Sequence, residues 1–124
     1  MKLTKNFNRK EFDCNDGTPV PKIYYRNVLE LAQNLEILRT AIGEPVLITG
    51  SGYRTEKWNK KKGGAKFSQH LTASGADISV RNHTPKELAA VIEELIASGK
   101  MKEGGIGVYP GFVHYDIRGT HARW

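Results

Sequence analysis

The feature that most restricts the fold is a single apolar stripe between Ile23 and Ile42. Val28, Leu31, Leu35, Leu38 and Ile42 recur at alternating three- and four-residue steps, which puts them along one side of an α-helix. Gly43 supplies a C-terminal stop, and Pro45 blocks continuation. A helix that is apolar on one side needs a second layer to cover it. The rest of the chain provides that layer. Val46–Thr49 reads as a short strand ended by Gly50-Ser51-Gly52, and Ile78-Ser79-Val80, entered from Asp77, reads as another. Thr84 is placed to cap a second long helix with Pro85 at its first position; Leu88, Val91, Ile92, Leu95 and Ile96 are its stripe, and Gly99 ends it. Gly104–Tyr109 and Phe112–Ile117 form two strands joined across Pro110-Gly111, a tight hairpin. Thr55–Lys62 is a short helix closed by Gly63-Gly64. Residues 1–20 form an irregular arm anchored by Phe7 and Phe12. The expected fold is α+β: one domain, with a mostly antiparallel sheet packed by two main helices.

With 124 residues and 39% hydrophobic content, the chain can bury one core and not two. The single cysteine, Cys14, rules out an internal disulfide and a cysteine-rich zinc finger. No apolar run approaches membrane-spanning length, and residues 1–10 lack the apolar centre of a signal peptide. The expectation is synthesis in the cytoplasm, no membrane insertion and a monomer. A net charge of +6 suits an anionic partner: nucleic acid, an acidic membrane surface or a carboxylate- or phosphate-rich wall polymer. The densest basic patch is Lys57, Lys60–Lys62 and Lys66, for which solvation of an exposed helix is the competing account.

Chemistry concentrates in Ser68-Gln69-His70 and Asp77, and again in Val113-His114-Tyr115-Asp116. Strand alternation puts Val113, Tyr115 and Ile117 on one face, and Phe112, His114 and Asp116 on the other. Likewise Ile78 and Val80 oppose Asp77, Ser79 and Arg81. If these strands are close in one sheet, Asp77 and His114 converge beneath His70. Two imidazoles and a carboxylate are ligands zinc accepts, with a fourth position left open. Taken singly, His114 reads as an ordinary strand histidine and Asp77 as a turn cap; their alignment on matching faces is what points to a site.

Ser51-Gly52-Tyr53-Arg54-Thr55, Ser68-Gln69-His70 with Asp77, Gly104-Gly105-Ile106-Gly107, and Phe112 through Gly119 with the ending Ala122-Arg123-Trp124 together resemble the zinc D-Ala-D-Ala carboxypeptidase family of peptidases. The branch resembled is the small single-domain one found among bacteriophages and their hosts, and the resemblance covers nearly the whole chain. It implies the fold shared with the hedgehog signalling domain, and zinc held by His70, Asp77 and His114. It also implies metal-assisted hydrolysis of peptide bonds in peptidoglycan stem peptides or cross-links, by a carboxypeptidase or an endolysin-type endopeptidase acting on the wall after release or from a virion. Arg54 would then stabilise the oxyanion or hold a substrate carboxylate, with Ser68 as a substrate contact or a turn residue bonded to the loop backbone, and Tyr53 as a substrate-side groove wall or core residue.

Two departures stand out. The family loop Ser-x-His-x-x-Gly-x-Ala-x-Asp has Ala73 at its glycine and Gly75 at its alanine. If that glycine supplies a positive φ, Ala73 is strained or the loop is rerouted. Many members also carry a glutamate base three residues before the last histidine, where this chain has Gly111. Asp116 is the substitute on the same strand face: either a proton acceptor or a group that orients a ligand. Glu103 is a spare carboxylate. Two other readings remain, a wall-binding module without turnover and a basic nucleic-acid-binding protein, the latter without a recognised motif and not expected here.

Overall fold

The computed structural model describes residues 1–124. Helix α1 spans Tyr25–Ile42 after a 3-10 turn at Lys22–Tyr24, and it stops where Gly43 turns left-handed at φ 76°. Val28, Leu31, Leu35 and Leu38 are fully buried, each contributing about 1.5–3 kcal/mol by leaving water. A short helix, α2, covers Glu56–Lys61 under a Thr55 cap. Helix α3 spans Pro85–Ala97, and its capping box is complete: the Glu87 amide donates to the Thr84 hydroxyl (3.1 Å) and the Thr84 amide to Glu87 (2.8 Å).

The strands are β1 (Val46–Ile48), β2 (Gly75–Val80), β3 (Gly105–Val108), β4 (Val113–Asp116) and β5 (Ala122–Arg123), in the sheet order β1-β2-β4-β3-β5. All neighbours are antiparallel except β3 and β5. The sheet is therefore mixed, and β5 has no counterpart in the sequence reading. Two residues are too few to show alternation, and the pairing rests on main-chain bonds from Val108 to Trp124 and from Trp124 to Ile106.

Alternation along the central strands produces two faces. Ala76, Ile78, Val80, Ile106, Val113 and Tyr115 are buried in the core with α1 and α3. The opposite face carries Asp77 and His114, which are directly paired across β2 and β4, and Gly75 opposite Asp116. The N-terminal arm closes one end. Phe7 and Phe12 are buried, a 3-10 turn forms at Arg9–Phe12, and the Phe12 carbonyl accepts the Tyr53 amide at 2.7 Å. The arm thereby fixes the loop that follows β1.

Between Ser68 and β2 the chain makes a 3-10 turn at Gln69–Thr72, capped by the Ser68 hydroxyl. It leaves this turn through Ala73 at φ 57°, ψ 31°, the left-handed region. The loop keeps the glycine-type backbone and Ala73 bears the strain, about 1–2 kcal/mol before any unfolded-state correction. Ala73→Gly is expected to stabilise the fold by roughly 0.5–1 kcal/mol, because the added freedom of glycine when unfolded offsets part of the relief. Urea denaturation would show it as a higher midpoint at unchanged slope.

Candidate metal centre

Three elements deliver three ligands. The 3-10 turn supplies His70, β2 supplies Asp77 and β4 supplies His114, all buried. His70 Nε2, Asp77 Oδ1 and His114 Nδ1 form a triangle with every edge at 3.3 Å. A tetrahedral zinc with bonds of about 2.0–2.1 Å requires ligand atoms about 3.3–3.4 Å apart, so the triangle has the size of one tetrahedral face.

The remaining ring nitrogens determine which atoms face that triangle. His70 Nδ1 lies 2.7 Å from the Gly52 carbonyl, which can only accept, so Nδ1 carries the proton and Nε2 keeps its lone pair. His114 Nε2 lies 2.7 Å from Asp116 Oδ2, so its proton sits there and Nδ1 is free. Both imidazoles are thus fixed in the tautomer a metal needs.

Asp116 has no exposed surface, and it lies behind His114. Its Oδ1 accepts from the Gly105 amide and from the amide and Nε of Arg118; its Oδ2 accepts from Arg118 Nη2 and His114. Burial opposes charge on this carboxyl, but the bonds from His114 and Arg118 more than offset it and hold its pKa far below the usual carboxylate range. Asp77 follows the same pattern: burial raises its pKa, and the bonds from His114 and His70 outweigh it. For His114 burial acts downward, and the two aspartates turn the net shift upward.

Arg54 stands on the Asp77 side. Its Nη2 is 3.6 Å from Asp77 Oδ2, and its Nε donates to the Ser51 hydroxyl at 2.9 Å. On the His114 side the wall is aromatic. The Trp124 ring centre is 5.2 Å from that of His114, its indole N–H donates to the Tyr109 hydroxyl at 2.6 Å, and Tyr109 stacks on Phe112. A Cβ on Gly107 would run into this indole, so glycine at that strand position makes room for the wall. Together these groups line a cleft of about 550 Å³ with Ser68 and Lys62 at its rim.

Not every candidate arrives there. Tyr53 packs against Tyr24, almost fully buried, and does not line the cleft. Glu103 is turned to Arg123 and the Gly104 amide. Asp77 is the only carboxylate in the cleft lining. Asn59, a buried partner of Arg54, escaped the sequence reading because a lone asparagine among lysines has no periodic signature.

Gly75 gives a direct test of the spacing. A Cβ there would lie 2.9 Å from His114 Cε1 and 3.2 Å from Asp116 Cβ. Gly75→Ala, which restores the family's usual residue, is expected to tilt the His114 ring and weaken zinc binding about tenfold, at the lower end of outer-partner losses. Competition with a chromogenic chelator measures this.

Comparison with curated proteins gives no match. Residues 3–116 match the family model described as Peptidase M15, and with nearly the whole chain and its buried His-Asp-His cluster accounted for, the protein belongs to that family of zinc-dependent peptidases.

Proposed function

We propose that this chain hydrolyses a peptide bond in peptidoglycan, as a carboxypeptidase or an endolysin-type endopeptidase, with zinc held by His70, Asp77 and His114. The observation that carries the reading is the 3.3 Å triangle in which both histidines present unprotonated nitrogens. Zinc bound there would supply Lewis-acid polarisation of a carbonyl and a water of lowered pKa. Arg54 has donors left after Ser51 and Asn59, and these suit a developing oxyanion or a free substrate carboxylate. Asp116 acts as a positioning residue, since its oxygens are occupied by donors and none faces the cleft. Ser68 caps the turn that carries His70 and offers its hydroxyl at the rim.

Charge supports a carboxylate-rich substrate. Arg54, Lys57, Lys60, Lys61, Lys62 and Lys66 stand against one acid, Glu56, so residues 54–66 carry +5 of the chain's +6. This concentration lies beside the cleft, and Lys62 reaches its rim. No helix is long and apolar enough to cross a bilayer.

One observation favours a second reading, a wall-binding module that keeps the metal without turnover: a metal ligand, Asp77, is the only carboxylate lining the cleft. Mass spectrometry of purified peptidoglycan fragments separates the two. New fragments that disappear with a zinc chelator are the expected result, and their masses identify the bond. An unchanged pattern from folded, zinc-loaded protein that still pellets with cell wall would establish the binding module.

A further inference from the structure

Asn59 lies on α2, between Lys57 and the run Lys60–Lys62, and yet is 4% exposed. Its side-chain amide is used at both ends. Oδ1 accepts from Arg54 Nη1 at 3.1 Å, and Nδ2 donates to the Ala65 carbonyl at 2.8 Å. Its main-chain carbonyl accepts the Gly64 amide at 2.9 Å. The fit is tight, since a Cβ on Gly64 would strike Asn59 Oδ1 and come within 2.8 Å of Arg54 Nη1. Arg54 is therefore gripped from two directions, by Ser51 at Nε and by Asn59 at Nη1, while Nη2 stays beside Asp77.

This arrangement fixes all the torsions of a long side chain. An arginine side chain loses about 2 kcal/mol of rotamer entropy when it is ordered, and a guanidinium already held needs no reorganisation when charge develops in front of it. The same amide ties the Gly63–Ala65 segment, which lines the cleft directly after Lys62, to that guanidinium.

We propose that Asn59 is a positioning residue that aims Arg54 at the reacting group and locks the Gly63–Ala65 rim to it. The inference rests on the peptidase reading for its kinetic consequence, though not for its structural one.

The test is a double-mutant cycle on the zinc-loaded full chain, with a peptidoglycan-derived peptide as substrate. Asn59→Ala is expected to lower kcat about 10- to 100-fold, the scale of a misplaced catalytic group, with zinc content unchanged. In an Arg54→Ala background the same change should cost less than about twofold, because nothing is left to aim. Asn59→Asp keeps an acceptor for Arg54 and loses the donor to Ala65, so it should recover only the part of kcat that comes from aiming Arg54 and fall between Asn59→Ala and the native protein. Equal losses in both backgrounds, or an unchanged kcat in Asn59→Ala, would overturn the proposal. If the native protein shows no hydrolysis, the peptidase reading fails, and Arg54 itself decides the matter by nitrogen NMR. Slowly exchanging, restricted guanidinium protons in the native protein that become mobile in Asn59→Ala support the clamp; identical signals in both overturn it.

Discussion

Stoichiometric zinc is expected to disappear when His70 is replaced by alanine, and hydrolysis with it. His70 is the ligand best suited to removal, because it comes from a 3-10 turn and not from the sheet. The two remaining ligands, Asp77 and His114, sit on adjacent strands and span one edge of the triangle only. Loss of affinity should exceed the roughly 10–100-fold that follows from losing an outer hydrogen-bond partner. The two long helices, α1 and α3, pack on the other face, so the far-ultraviolet circular dichroism of the variant should match that of the metal-free native protein. Retention of zinc at native affinity would remove the triangle as the metal site. Acid acts on the same equilibrium. Both imidazoles must be unprotonated to bind, and the carboxylates around His114 raise its pKa, so protons compete from a higher pH than for a free histidine. Zinc affinity should therefore fall steadily as pH drops toward 6.

Asp116→Asn is the second large effect, although the two side chains have the same shape. Every group around Asp116 is a donor: two main-chain amides, two nitrogens of Arg118 and His114 Nε2. An amide must point its own N–H₂ at some of them. If it turns toward His114, the imidazole answers by moving its proton to Nδ1, and the lone pair that faces Asp77 and His70 is lost. If it turns toward Gly105, it meets N–H groups in a fully buried place. The expected outcome is zinc binding weakened by 10–100-fold and a loss of roughly 3 kcal/mol in the metal-free fold, as for other broken buried pairs. Isothermal titration with zinc and a thermal melt of the metal-free protein read the two separately. A variant that binds zinc as tightly as the native chain would mean that Asp116 does not set the tautomer.

Much of this was legible in the residues. The stripe of α1, the Thr84 cap, the Pro110-Gly111 turn and the shared face of His114 and Asp116 all follow from local periodicity or turn chemistry, and each is seen in the fold. Strand alternation also put Asp77 on the face where it meets His114. What stayed hidden depends on contacts between distant segments. Alternation gives a side chain's face but not which nitrogen of a neighbouring ring it will meet, so it left both roles of Asp116 open. Tyr53 reads from the sequence as core, groove wall or substrate contact, and only the arm, which draws its main chain to Phe12, and Tyr24, on which its ring settles, place it in the core. Asn59 and β5 carry no pattern at all: Asn59 is defined by side-chain bonds to Arg54 and Ala65 on either side of its own helix, and β5 by its pairing with β3.

The sheet order has a kinetic consequence. Asp77 and His114 lie on β2 and β4, which are neighbours with β1 outside one and β3 and β5 outside the other. Fraying starts at edges, where β1 and the two-residue β5 can detach while the β2–β4 ladder stays closed. Main-chain amides of that ladder should then be among the last to exchange with deuterium, and Asp77 and His114 should separate only in openings close to global unfolding. Metal held here would persist through the small fluctuations that loosen the rest of the molecule.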